Sequence, residues 1–276
     1  KGQGLNSSWM ADRVASFPLP LATLAPVLCI AVVVLIAISL VVGIGSCVSS
    51  ADNSSQGDGA QADQMEISYT PSIQAIAGVP DPGTNVQGIS LADSNANYVP
   101  QLSEEGATQV GDAISAITAN NKTVCFAFID LQTGGGYVYN LDQRVYGASS
   151  FKGPVLIYGC QQALETGKTS ISRVNSSAQD AIINSDNTSY YRMRNAFERS
   201  ASKSLSAWLS SMNISTTLAN DTSFPHYSAR ESLKLWMNTF LYLSSPDSNK
   251  EITEWAKKMF SGTAVSMIRS GVDPTS

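Results

Sequence analysis

A long run without charge divides this chain into two unlike parts. No Asp, Glu, Lys or Arg occurs from Val14 to Ala51, and residues 27–48 are almost entirely apolar. About 20 apolar residues are enough to cross the hydrocarbon core of a bilayer. A buried helix of a soluble domain, the alternative, is rarely so long and so apolar on every side. The run therefore predicts a transmembrane helix over 22–48, preceded by a short segment over 1–21.

The charges on either side of this run predict its orientation. Lys1 and Arg13 precede it, the next basic residue is Lys122, and nine acidic residues lie in the interval from 52 to 112. Basic flanks stay in the cytoplasm, so we expect 1–21 to be cytoplasmic and the bulk of the chain to be extracytoplasmic on a single-pass anchor. An alternative anchor remains open, because the letters I-G-S-C ending at Cys47 resemble a lipobox, whose cysteine would be lipidated.

The segment after the run has the composition of a linker. Residues 49–100 are rich in Ser, Gly, Asp, Asn, Gln and Pro and contain no Lys or Arg. Such a segment buries little apolar surface and is typical of a flexible tether. We therefore expect one folded domain over 101–276, held outside the membrane by a flexible acidic and polar linker.

Composition also narrows the classes of function. The net charge is −5 and there is no basic tract, so nucleic acid is not an expected partner. His226 is the only histidine, expected at the surface or capping a helix, and the four cysteines form no C-x-x-C pair. Neither a metal site nor a cofactor is expected on these grounds. Cys125 and Cys160 are expected to be buried thiols, and a disulfide between them stays open.

The pattern within the domain predicts an α+β fold with one β-hairpin. Ser103 is placed to cap a first helix, and the hairpin follows with strands over 123–130 and 137–140 around a glycine-rich turn. Trp208, Trp236 and Trp255 fit core positions of the helices that come later. The apolar spacing predicts those helices over 154–165, 195–212, 229–242, 251–260 and 264–268.

Two short motifs carry the reactive side chains. The letters S-S-F-K at 149–152 place a hydroxyl and an amine three residues apart, which on a helix is one face. A serine is a poor nucleophile until a base takes its proton, and a desolvated lysine can be that base. The letters S-D-N follow at 185–187. Either motif alone fits an ordinary helix cap or turn, but their order after a hairpin points to chemistry.

With both motifs in place, residues from about 102 onward resemble the penicillin-recognising serine hydrolases, close to class A β-lactamases, whose motifs are S-x-x-K, S-D-N and K-T-G. The stretch 221–225, followed by a helix, also looks like the exit of that family's omega loop. The resemblance implies a helical subdomain beside an antiparallel sheet. It implies a β-lactam or a D-Ala-D-Ala-type peptide from the cell wall as substrate.

The resemblance also assigns roles to four residues. Ser149 would be the acylated nucleophile, with its own backbone N–H as half of the oxyanion hole. Lys152 would accept or relay the proton of that serine. Ser185 would pass a proton towards the leaving nitrogen. Asn187 would hold Lys152 or the amide of the substrate.

Two departures from the family pattern limit what we expect of this site. No K-T-G follows S-D-N, so the strands that would carry it are expected to be missing at the C-terminus. The loop before Asp221 contains no glutamate to activate a deacylating water, so deacylation is expected to be slow. Glu198 and Glu231 are expected on solvated helix faces instead. A non-catalytic cell-envelope binding protein on the same scaffold is the alternative.

Overall fold

An antiparallel sheet of three strands lies beside a larger group of helices. The computed structural model describes residues 72–92, 98–131, 133–220 and 225–264, and these form an α+β domain. The strands are β1 (Gln87–Ser90), β2 (Phe126–Ile129), β3 (Gly135–Tyr139), β4 (Arg144–Tyr146) and β5 (His226–Ser228). The helices are α1 (Ile73–Ala77), α2 (Glu104–Thr118), α3 (Lys152–Gly159), α4 (Ile171–Ile182), α5 (Asn187–Ser200), α6 (Leu205–Ser211), α7 (Thr217–Asn220), α8 (Ala229–Ser244) and α9 (Lys250–Ser261).

The central strand of the sheet is β3, which pairs antiparallel with β1 on one side and β2 on the other. Val138 stands opposite both Gln87 and Ala127, and all five residues of β3 are buried. The predicted hairpin is therefore confirmed as β2 and β3. A separate pair of strands, β4 and β5, joins the segment before the first motif to the segment before α8.

The third strand comes from residues that the sequence assigned to the linker. Both α1 and β1 lie before residue 100, and Ile76, Ile89 and Leu91 are buried there. The predicted boundary at 100 is therefore wrong. A composition averaged over fifty residues hid a short strand with one buried isoleucine, whose backbone hydrogen bonds are completed by β3.

The helix predicted over 195–212 is also wrong. The chain forms two helices there, α5 and α6, because α5 ends at Ser200 and Ser204 caps a new helix. The Ser204 hydroxyl accepts a hydrogen bond from the backbone N–H of Ala207 at 3.1 Å. The amphipathic spacing continues across this break, but the helix does not. Ser204 starts a new helix because its hydroxyl accepts a hydrogen bond from the first turn of α6.

All eight residues of α3 are buried, which makes it the central helix of the domain. It begins directly after a 3₁₀ turn, Ala148–Phe151, and continues into a π-helical turn, Cys160–Leu164. A glycine at each end of α3 lets its neighbours approach closely. Gly153 faces the Trp236 and Phe260 rings, and Gly159 lies so near the Phe197 ring that a Cβ would overlap it.

The tryptophans and cysteines predicted to be buried differ in their actual burial. Trp208 is buried at 4% exposure, whereas Trp236 is 39% exposed, so its predicted core position is wrong. Trp236 covers the surface of α3 at Gly153 instead of entering the core. Cys160 is buried, Cys125 is half-buried, and both are free thiols.

Several predictions fall on residues that the structure does not describe. They are the N-terminal segment over 1–21, the transmembrane helix over 22–48, Cys47, most of the linker, 221–224 of the expected omega-loop exit, and all but the first residue of the helix predicted over 264–268. Within residues 72–264, so far as these are described, no helix combines the length and the apolar character needed to cross a bilayer.

Candidate active site

Ser149 lies in the 3₁₀ turn that leads into α3. Side chains three residues apart nearly eclipse in such a turn, so Ser149 and Lys152 emerge on the same side. Ser149 is half-buried, and its hydroxyl has no hydrogen-bond partner among the residues that the structure describes. A direct hydrogen bond between the Ser149 hydroxyl and the Lys152 amine is therefore not made in the described structure.

The amine of Lys152 is instead held by the second motif. Its Nζ donates to the backbone oxygen of Ser185 at 2.5 Å, to the Ser185 hydroxyl at 3.2 Å and to Asn187 Oδ1 at 2.8 Å. An ammonium group donates up to three hydrogen bonds, and these acceptors lie within reach of its protons. The expected contact of Asn187 with Lys152 is thus present, and the structure brings Lys152, Ser185 and Asn187 together.

Burial changes the acid–base behaviour of this amine. Lys152 is only 2% exposed. This burial lowers the pKa of its amine, and the nearby charge of Asp186 opposes the shift. The ring of Tyr190 lies 5.9 Å from Nζ, close enough for a cation–π contact. A lowered pKa means that more of the amine is in its free, proton-accepting form at neutral pH than in an exposed lysine.

The aspartate of S-D-N shapes the turn that carries the acceptors. Asp186 caps α5, and its carboxylate accepts the Ser189 backbone N–H at 2.6 Å. That hydrogen bond lowers the pKa of Asp186, so the side chain remains an anion at neutral pH. The capping bond fixes the start of α5, where Asn187 is the first residue.

Backbone strain is concentrated at the two motifs. Five residues other than glycine have positive φ in the described parts of the chain, and three of these are asparagines, which tolerate that conformation. The other two are Ala148, with φ of 45°, and Ser185, with φ of 56°. One precedes Ser149 and the other supplies two acceptors to Lys152. Strained backbone of this kind is typical of functional sites, where the surrounding structure imposes it.

Glu231 and Glu198, both expected on solvated helix faces, are paired with other groups. Glu231 accepts from the backbone N–H of Ser228 at 3.0 Å and of Ser215 at 3.2 Å, and it pairs with Arg144 at 3.2 Å. Its side chain is 12% exposed, so the predicted solvated position is wrong. The reason is a capping box at the start of α8, which turns this side chain back into the protein.

Glu198 lies elsewhere, on α5. It forms an ion pair with Arg194 one turn earlier, with a distance of 2.9 Å between the two side-chain atoms, and its side chain is 35% exposed. Its prediction as a surface residue agrees with this position. Neither glutamate is therefore an unpaired carboxylate beside Ser149.

The sequence did not predict a contact at Ser150, the residue after Ser149. The Ser150 hydroxyl forms hydrogen bonds with the Gly147 backbone oxygen and with the Tyr227 hydroxyl. Tyr227 is buried in β5, and burial raises the pKa of its hydroxyl to about 12. The available signal was the capping-box spacing from Ser228 to Glu231, which marks the start of α8 and hence the strand before it.

A groove of about 380 Å³ opens near the ends of β4 and β5. Neither Ser149 nor Lys152 is among the described residues that line it. His226 forms one side of this groove; it is exposed, as predicted, and is the first residue of β5. The described lining is Arg144, Thr217, Leu218, Asn220, Pro225 and His226.

Comparison with known proteins gives no relative from which a function could be transferred. The chain matches no family model, no curated protein and no solved structure. The described residues also contain no cluster of three or more His, Cys, Asp or Glu side chains that could hold a metal ion. A proposal for its function therefore depends on the chemistry of Ser149, Lys152, Ser185 and Asn187.

Proposed function

We propose that this protein is an extracytoplasmic serine hydrolase of the β-lactamase-like fold, tethered to the cell membrane by the helix predicted over 22–48. Ser149 is the nucleophile, and a β-lactam or a D-Ala-D-Ala-type peptide acylates it. One observation carries this proposal: the buried amine of Lys152, held by Ser185 and Asn187, lies one turn after a serine hydroxyl that has no described partner.

The position of Lys152 favours chemistry over simple packing. The rest of α3 is apolar or glycine and wholly buried, and a lysine in such a helix loses hydration that an apolar side chain would not lose. Burial also lowers the pKa of its amine, as a general base requires. A role limited to fixing the S-D-N turn would explain the hydrogen bonds, but it would not call for a serine without a described hydrogen-bond partner three residues before the lysine.

Acylation follows from these positions. The neutral amine of Lys152 takes the proton of the Ser149 hydroxyl, and the serine oxygen attacks the carbonyl carbon of the substrate amide. The carbon–nitrogen bond then breaks. The leaving nitrogen receives a proton through the Ser185 hydroxyl, which is 3.2 Å from the lysine amine and is replenished by it. The products are an ester on Ser149 and a neutral amine, which in a β-lactam stays attached as the opened ring.

Deacylation adds water to that ester and restores the serine. It needs a base for the water. Glu198 is held in an ion pair and Glu231 in a helix cap, so neither is available for this role. Lys152 is the remaining base near Ser149 in the part of the chain that the structure describes. We therefore expect the ester to form faster than it is hydrolysed.

A fluorescent penicillin tests the nucleophile. We expect the wild type to be labelled at the peptide containing Ser149, with a mass increase equal to the whole penicillin, and Ser149→Ala to remain unlabelled. Ser176→Ala is a matched control, because Ser176 is exposed on α4 and should label like the wild type. Equal labelling of wild type and Ser149→Ala would refute the assignment.

The balance between the two steps has its own test. With nitrocefin in excess, we expect one rapid turnover per protein molecule followed by a slow steady rate. Rapid multiple turnover would contradict the expected slow deacylation. A folded wild type that takes up no penicillin at all would instead favour a cell-envelope binding protein on this scaffold.

A further inference from the structure

The turn that carries Ser149 is held by one tyrosine, Tyr227, through the neighbouring residue Ser150. The hydroxyl of Tyr227 meets the hydroxyl of Ser150, which also donates to the backbone oxygen of Gly147. Ser150 is the direct neighbour of Ser149. These hydrogen bonds therefore act on the same turn whose geometry decides where the Ser149 hydroxyl points.

The ring of Tyr227 packs on the turn as closely as its hydroxyl does. Gly147 lies against this ring, and a Cβ at position 147 would overlap its edge. The backbone N–H of Gly147 also donates to the Pro225 oxygen at 3.0 Å. On the far side, the Phe151 ring lies 6.1 Å from the Tyr227 ring, centroid to centroid. The turn from 147 to 151 is thus in contact with Tyr227 at both of its ends.

Tyr227 is itself fixed by the elements on either side. In β5 it stands opposite Val145 of β4, and it is only 4% exposed. The next residue, Ser228, caps α8, and its hydroxyl and backbone N–H both bond with Glu231. The backbone of Tyr227 is therefore fixed by a strand pair and by a helix cap, so its side chain can hold another segment in place.

The turn needs such support because of its backbone conformation. Ala148 has φ of 45°, which a residue with a Cβ adopts only when its surroundings impose it. Two hydrogen bonds from Ser150 to the Gly147 oxygen span Ala148, one from the hydroxyl and one from the backbone N–H at 3.1 Å, and together they close the turn on that conformation. Loss of the hydroxyl bond would leave the backbone bond alone to hold the positive φ of the residue before Ser149, so we expect the turn to loosen.

We propose that Tyr227 is a positioning residue, which holds the strained turn through Ser150 so that the Ser149 hydroxyl faces Lys152. This inference rests on the proposed function for its effect on acylation, but not for its effect on the turn. Tyr227 is not itself the base, because burial keeps its hydroxyl protonated at neutral pH.

Acylation rates of the full chain test the proposal. Tyr227→Phe removes only the hydroxyl, and we expect the maximal acylation rate by penicillin to fall about tenfold to a hundredfold, because a displacement near 1 Å at a reacting atom costs that much. The half-saturating penicillin concentration should change less than twofold. Ser150→Ala should behave in the same way, and Ser150→Thr, which keeps a hydroxyl, should restore the rate.

A second buried tyrosine provides the matched control. Tyr242 on α8 donates its hydroxyl to Glu165 at 2.8 Å, away from the Ser149 turn. Tyr242→Phe should lower the melting temperature as Tyr227→Phe does, while the acylation rate stays at the wild-type value. If both variants slow acylation equally, the effect of Tyr227 is general stability and the positioning role is wrong.

Hydrogen exchange separates this inference from the proposed function. In Tyr227→Phe, the backbone N–H groups of 148–151 should exchange at least tenfold faster than in the wild type, and those of α9 should not change. This measurement decides the role in the turn even if penicillin never acylates the wild type. Unchanged exchange at 148–151 overturns the proposal, and so does faster exchange with an unchanged acylation rate in a wild type that does acylate.

Discussion

Replacing Asn187 with alanine should weaken the native state only while Lys152 carries its charge. The substitution removes the acceptor at 2.8 Å from Nζ and leaves the two contacts with Ser185. A hydrogen bond to a charged group contributes about 1.5–3 kcal/mol. Because Asn187 is exposed, water can replace the lost amide, and we expect a loss of about 1.5 kcal/mol at neutral pH.

The loss should depend on pH with a definite sign. The pKa of Lys152 is lower in the folded protein than the ordinary lysine value, so between these two values the unfolded chain binds more protons and stability rises with pH. The variant loses an acceptor that favours the charged amine, so its native pKa is lower still. Above the native pKa both proteins hold a neutral amine, and the difference between them should shrink.

Urea unfolding of the full chain at several pH values measures this difference. With a denaturant slope of about 1–3 kcal/mol per molar, 1.5 kcal/mol moves the midpoint by about 0.5–1.5 M. Asn187→Asp is the matched variant, because a carboxylate in place of the amide pairs with the ammonium, raises its pKa and preserves or increases stability at neutral pH. Both variants should slow acylation at neutral pH: Asn187→Ala because the amine loses an acceptor that positions it, and Asn187→Asp because the carboxylate keeps the amine protonated.

A different result would refute the reasoning. If Asn187→Ala destabilises the protein equally at every pH, the contact with the charged amine is not what Asn187 contributes. If Asn187→Asp destabilises as much as Asn187→Ala, then Lys152 is not a cation in the native state. Either outcome would remove the electrostatic basis of the proposed site.

The remaining predictions concern packing and the pH profile. Gly159→Ala should cost about 1–3 kcal/mol of stability in thermal unfolding, because its Cβ would overlap the Phe197 ring. Gly111→Ala is its control on the exposed face of α2, where an added Cβ would meet no side chain and no other segment within 4 Å. It should stabilise the protein by about 0.5–1 kcal/mol. Asp186→Asn keeps the helix cap but removes the charge that raises the pKa of Lys152, so acylation should reach its plateau at lower pH; an unchanged profile would mean that another group titrates.

Local sequence patterns determined much of the fold and named the site residues. Ser103 caps α2 as predicted, and the hairpin, α8 and α9 follow their apolar spacing to within a few residues at each end. These features depend on neighbours within a few positions, where capping and periodicity act directly. The reactive residues were found for a similar reason, since spacing three apart places Ser149 and Lys152 on one side of any helical turn.

Only the tertiary structure decided what these residues contact. Lys152 and Ser185 are 33 positions apart, and Tyr227 and Ser150 are 77 apart, so no local pattern could predict either hydrogen bond. No local pattern predicted β1 either, because its pairing with β3 places part of the predicted linker in the domain. Glu231 lies against the protein because it takes part in the helix cap of α8. Long-range contacts depend on how whole elements pack, and packing sets both the burial of the Lys152 amine and the strain beside Ser149.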